Sequence, residues 1–197
     1  GPPPPGTAAK VVPANALVYV NVAIDGDRDV TRRALKVAQR FPGYSAQRDS
    51  IIRRLTAPGA KGDVRKWAGD EAALALLPGE GATAQSLVLV KVRDRAGAER
   101  YVTGGRSAVG VSRYRQVPLY PAGDVVIARV GDFVAVGQDT AVRQALDLAA
   151  GQGSPLAASP DYRKAITPLP PDRVATAWAT ADGIRRILAP QSGLLGV

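Results

Sequence analysis

The chain has 197 residues, 46% of them hydrophobic and 5% aromatic, and a formal charge of +9. That apolar fraction excludes a disordered chain and predicts a core built mostly from Ala, Val, Leu and Ile. With no His and no Cys, the Ser-His-Asp and Cys-His arrangements are excluded, as are typical zinc sites and disulfides.

Residues 1–12 open with Gly-Pro-Pro-Pro-Pro-Gly, which favours extended polyproline II and reads as a linker. Ala16 to Ile24 is rich in β-formers and follows Pro13, so it predicts a buried strand. Asp29 is placed to cap a helix with Val30, Ala34, Val37, Ala38 and Phe41 on its apolar face, and Pro42-Gly43 ends that run. Ser45 is placed to cap a second helix around Ile51, Ile52 and Leu55.

Ala72–Leu77 has helix-favouring residues, but its shortness and flanking turns predict a strand. Ser86–Val92 is a second strand, and residues 94–103 form a short helix with Ala98, Tyr101 and Val102 on its apolar face. Three strands are expected at 109–117, 124–130 and 132–137. The last two meet in a tight hairpin at Gly131-Asp132. Asp139 is expected to cap a helix that buries Val142, Ala145, Leu146 and Ala149. A short helix at 160–166 and a strand at 173–181 follow. Hairpins dominate and strict βαβ alternation is missing, so the expected fold is α+β, a mainly antiparallel sheet with helices packed on one face.

Residues 12–26 (VPANALVYVNVAIDG) and 169–183 (LPPDRVATAWATADG) align without gaps. Each starts at a proline turn, continues as a strand and ends in Asp-Gly before a helix. The expected organisation is therefore a linker over 1–12, an α+β unit over 13–168, and the start of a second, truncated repeat over 169–197.

Several segments taken together carry a resemblance. They are V-P-A-x-A-L-V-Y-V-N-V, a helix ending in Arg40-Phe41-Pro42, W-A-G-D-E-A-A-L-A-L, the Y-R-x-V-P-L-Y strand, and V-G-D-F-V-A-V-G. Over residues 11–188 the set resembles an actinobacterial and cyanobacterial envelope family defined only as a domain of unknown function. The resemblance implies a membrane span upstream of this fragment, a low-complexity linker, and an ectodomain of two related halves. No catalytic residue is defined for that family, so none carries over.

The residues themselves offer little reactive chemistry. No Ser-x-x-Lys pair occurs, and Gly105-Arg106-Ser107-Ala108-Val109 lacks the second glycine of a nucleophile elbow. Gly59-Ala60-Lys61-Gly62 lacks the ending of a phosphate loop. Asp25, Asp27 and Asp29 alternate as in the opening of a calcium loop, but Val30 stands where glycine is needed and Lys36 where the bidentate Glu belongs. A polar strand-to-helix turn is the simpler reading. Asp70 and Glu71 are adjacent, so on a strand they point to opposite faces and cannot share a substrate. Trp67 and Trp178 are expected to pack rather than to stack on a ligand. No catalytic, cofactor or metal site is expected, and no enzymatic activity.

The positive charge is spread along the chain, with no basic run interleaved with aromatics, which argues against nucleic acid. The best patch is one helix face carrying Arg32, Arg33, Lys36 and Arg40, suited to anionic lipid or a wall polymer. No stretch approaches the roughly 20 apolar residues of a membrane span, so an anchor is expected outside the fragment. Two readings follow. The first is a non-catalytic extracytoplasmic domain with an interaction or structural role, whose partner is lipid, wall polymer or another envelope protein. The second is a carrier of an apolar or lipid-like ligand between sheet and helices.

Overall fold

A computed structural model describes residues 6–24, 64–81, 83–104, 109–170, 173 and 175–188. The expected helices over 30–41 and 45–55 lie outside these residues.

Among the described residues, eight strands form one antiparallel sheet. They are β1 (Val18–Ala23), β2 (Ala68–Pro78), β3 (Ala84–Val92), β4 (Ser112–Tyr114), β5 (Val117–Ala122), β6 (Val125–Val130), β7 (Phe133–Gly137) and β8 (Ala175–Ala179). The spatial order is β4-β5-β6-β7-β3-β2-β1-β8. Five α-helices are described: α1 (Val64–Trp67), α2 (Arg95–Thr103), α3 (Asp139–Ala149), α4 (Pro160–Ile166) and α5 (Ala181–Leu188). The α+β class and the antiparallel sheet are as the sequence predicts. Ala72–Leu77 is strand, and the helix at 95–103 buries Ala98, Tyr101 and Val102.

Alternation along the central strands divides their apolar side chains between two cores. Tyr19, Ala73, Ala75, Leu77, Leu87, Leu89, Phe133 and Ala135 face one side. Val18, Val20, Val22, Ala72, Leu76, Val90, Val134 and Val136 face the other. α3 covers the first side with Ala141, Val142, Ala145 and Leu146, and Tyr162 of α4 joins it. The structure adds helical cover on the second side, where α2 packs with Trp67 at the end of α1. The physical reason lies in runs such as Ser86–Val92. Their near-continuous apolar character gives both faces of β3 a hydrophobic surface that must leave water.

Three details differ from the sequence reading. The strand expected over 109–117 is broken: β4 turns back into β5 through Arg115 and Gln116, with Tyr114 opposite Val117. Both turn residues have positive φ, 47° and 63°, as a two-residue hairpin of the mirror-image type requires. Neither is Gly or Asn, so no turn signal is legible there. Asp139 does not cap α3; Gln138 stands at the cap, and Asp139 in the first turn pairs instead with Arg143. Ala149 is exposed rather than buried, because it falls in the last turn beyond the apolar stripe.

The left-handed turn yields a first prediction. A non-glycine residue in that region costs about 1–2 kcal/mol. Gln116→Gly should therefore raise the urea midpoint, by about 1 kcal/mol of stability once the extra freedom of glycine in the unfolded chain is subtracted. Urea unfolding followed by circular dichroism reads this directly. A lower midpoint would mean that the turn is not strained.

Candidate functional site

The sequence-predicted patch of Arg32, Arg33, Lys36 and Arg40, and the Asp25, Asp27 and Asp29 turn, lie outside the described residues. The other charged groups that the sequence singled out are Asp70 and Glu71. They occupy the stretch of β2 where its register against β3 shifts, between Ala68 and Ala72. They do point apart. Asp70 is on the surface, 3.8 Å from Lys91 Nζ, while Glu71 is fully buried.

Glu71 is a structural clamp. Its Oε1 accepts from the Ala8 backbone N–H at 2.8 Å and from Asn21 Nδ2 at 2.6 Å. Its Oε2 accepts from the Thr7 hydroxyl. Thr7 and Ala8 open a short 3-10 turn, Thr7–Lys10, whose first N–H groups have no partner within the turn. The carboxylate supplies one and so ties the N-terminal segment to the sheet. Asn21 Nδ2 also reaches the Tyr19 hydroxyl at 3.0 Å. Burial, and then the neighbouring Tyr162, hold that hydroxyl well above the ordinary tyrosine value, so it stays a neutral phenol. The sequence reading missed this network because Glu71 lies 50 residues from Asn21 and 63 from Ala8. The available signal was a lone Glu opening an apolar run.

A second cluster fixes the β4–β5 hairpin to α3. Arg115 Nε donates to Asp147 Oδ1 at 2.5 Å, and the Tyr114 hydroxyl donates to the same oxygen at 2.9 Å. The Tyr114 ring sits beneath the Arg143 guanidinium, 4.9 Å from its centroid. The Arg115 hydrogen bond, and then that from Tyr114, hold the Asp147 carboxyl below its ordinary value. A carboxyl lowered on folding stabilises the native state above the unfolded value, and that contribution is lost as pH falls through the folded one. The contact is half-exposed, so its share is small.

Trp67 is buried and tilted against Tyr101 at 5.0 Å between ring centroids. Trp178 meets Tyr162 edge-on at 5.8 Å, and Tyr162 meets Tyr19 edge-on at 5.7 Å. Both tryptophans are packing residues, and the second ladder holds α4 over the junction of β1 with β8.

An open groove of about 340 Å³ is lined by Ile24, Gly69, Asp70, Lys91, Val92 and Arg93. Three of these six, Asp70, Lys91 and Arg93, carry charge. Among the described residues no group of three or more acidic side chains is placed to hold a metal ion, and no helix is long and apolar enough to cross a membrane.

The remaining feature is the sheet edge. β8 has β1 as its one neighbour among the described strands. Its residues Ala-Thr-Ala-Trp-Ala include no charge and no proline, the usual devices that blunt an edge.

A sequence model of the family described as "Protein of unknown function (DUF3352)" matches residues 1–193. The chain belongs to the DUF3352 family. No curated protein sequence matches it. Among solved structures, crystal form IV of TP0453 is similar, with a TM-score of 0.45 and 10% identity, over 85% of this chain and 60% of that one. The chain thus spans less than two thirds of that protein's length.

Proposed function

We propose that this DUF3352 chain is a non-catalytic extracytoplasmic module of a membrane-anchored bacterial envelope protein, working by interaction or as a structural element. The observation that carries the reading is how five acidic groups among the described residues are used. Glu71 clamps the N-terminal segment, Asp147 pins a hairpin, Asp139 and Asp182 pair along their own helices, and Asp94 caps α2. These are contacts that hold the fold, and they are dispersed over it rather than converging on one cleft. The Pro-rich opening fits a spacer beside an anchor, and the envelope location rests on the family resemblance. Both faces of the central strands carry packed side chains, which favours a partner at the surface or edge over an apolar ligand inside.

Because the chain has no cysteine, its location is testable with one thiol. Val109 is 81% exposed. Val109→Cys in the full-length protein should react with a membrane-impermeant maleimide on intact cells, before lysis. Labelling that appears only after lysis would place the domain in the cytoplasm and end the proposal.

A further inference from the structure

We infer that the layer formed by the Thr7–Lys10 turn and α4 is a membrane-facing surface, whose unpaired cations rest on the anionic phosphate headgroups of a lipid bilayer. The inference deepens the anchored reading above by naming what the module touches, and it rests on that reading for the tether.

The cations of the described residues divide into two kinds. On α3, Arg143 pairs with Asp139, and Asp147 pairs with Arg115 of the neighbouring hairpin. Across the sheet, α2 sets Arg95 beside Asp132 and Arg100 beside Asp94. A cation next to an aspartate is screened by it, so the pair projects little field into solvent.

The Thr7–Lys10 turn and α4 differ. A second 3-10 turn, Leu156–Ala158, lies between them, and Leu156 N–H donates to Val12 O at 2.7 Å. Ala8, Ala9, Leu156 and Tyr162 turn inward to the first core. Over residues 6–16, 150–170 and 173 the cations are Lys10, Arg163, Lys164 and Arg173, and Asp161 is the one anion. None of the four cations has a carboxylate partner among the described residues. Lys10, Arg163 and Lys164 are exposed. Arg173 is held in place by neutral acceptors, with Nε donating to Thr176 Oγ1 at 2.8 Å and Nη1 to Pro170 O at 2.9 Å.

Packing fixes the direction of the charges. Tyr162 sits edge-on between Tyr19 and Trp178, which sets the rotation of α4. Successive helical residues turn by about 100°. Arg163 and Lys164 therefore come round to the outer surface, while Ile166 returns to the core. The chain also enters the fold on this layer, because Glu71 ties Thr7 and Ala8 to β2. A tether upstream of Gly6 draws this side toward the bilayer and holds it there at high local concentration. Each Lys or Arg at an anionic bilayer surface adds roughly fivefold in affinity, so four cations suffice once the tether supplies proximity. Packed layers stand about 10 Å apart. Charges on the α2 side are therefore more than a Debye length, about 8 Å at physiological salt, from a bilayer that touches α4.

The test is co-sedimentation of the 197-residue chain with vesicles of equal parts phosphatidylglycerol and phosphatidylcholine in about 0.1 M salt. The chain should bind these vesicles and not vesicles of phosphatidylcholine alone. Arg163→Glu combined with Lys164→Glu should weaken binding by about tenfold or more. The control is Lys66→Glu combined with Arg113→Glu. Both residues are exposed; Lys66 belongs to α1, and Arg113 alternates with Tyr114 of the first core and so points the other way. This control changes net charge equally and should cost less than about threefold. Orientation is read separately with a bimane on a single introduced thiol, since the chain has no cysteine. Emission from Ala165→Cys on α4 should shift to the blue on phosphatidylglycerol vesicles, and emission from Ala96→Cys on α2 should not; both positions are exposed. That readout decides the matter if the double reversal on α4 fails to fold. Equal losses in the two folded double variants, equal binding to neutral vesicles, or an equal shift at Ala96→Cys would each overturn the inference. Binding to soluble polyphosphate with none to the vesicles would assign the face to a free polyanion and overturn it too. The location assay is separate: a failure on vesicles leaves the extracytoplasmic reading standing, and labelling only after lysis leaves the vesicle result standing.

Discussion

Glu71→Ala should lower stability by about 3–5 kcal/mol, as much as truncating a large core side chain. The carboxylate is fully buried and accepts hydrogen bonds from Ala8 N–H, the Thr7 hydroxyl and Asn21 Nδ2. Truncation leaves three buried or half-buried donors without that acceptor, and each such loss costs about 1–3 kcal/mol. It also leaves a void near Tyr19, which packs edge-on against Tyr162. For a chain of this size the thermal midpoint should fall by about 10 °C. Residues 6–12 should become accessible to protease first, since the carboxylate is what ties Thr7 and Ala8 down. Glu71→Gln discriminates between causes. Its amide oxygen still accepts from Ala8 and Asn21, and its amide nitrogen can donate to the Thr7 oxygen. It should therefore cost only about 1 kcal/mol. Equal losses in both variants would show that negative charge, rather than acceptor geometry, is what the site needs.

The same residue shows where the sequence was readable and where it was not. Alternation predicted that Asp70 and Glu71 point to opposite faces, and they do, because side-chain direction along a strand is a local property. That Glu71 enters the core could not be read locally, since its partners come from the N-terminal turn and from β1. Likewise the Gly131-Asp132 hairpin announced itself, because glycine readily supplies the left-handed φ of +55° found there. The Arg115–Gln116 hairpin did not, because two poor turn residues are held in that conformation by a contact from another element, Asp147 of α3. The apolar face of α2 was legible from Ala98, Tyr101 and Val102, whereas the need for cover on both sides of the sheet appears only when β2 and β3 lie at its centre. The candidate site was less legible than the fold. The expected basic face over residues 32–40 lies outside the described residues, and the place of β8 at one end of the described strands is a property of strand order, of which composition says nothing.

Gly137→Ala should cost about 3 kcal/mol, although the residue has an ordinary strand conformation and its replacement is the smallest side chain available. A Cβ placed there would collide with the Ser86 carbonyl oxygen and stand 3.3 Å from Leu87 Cα. Both are backbone atoms of β3, so no rotamer change relieves the clash. Relief requires β7 and β3 to separate where Leu87 pairs with Gly137. The same movement pulls Gln138 away from Ser86, whose N–H now donates to Gln138 Oε1 at 2.7 Å. The damage thus spreads into the start of α3 and the larger core. Gly131→Ala is the contrasting control. Nothing lies within 4 Å of a Cβ at that position, but φ is +55°, so the cost is the left-handed penalty alone, about 1 kcal/mol. Urea midpoints of the two variants separate a glycine required for space from one required for backbone freedom. A Gly137→Ala midpoint no lower than that of Gly131→Ala would mean that β3 and β7 yield more easily than their close approach implies. The glycine closing the V-G-D-F-V-A-V-G segment would then need another reason.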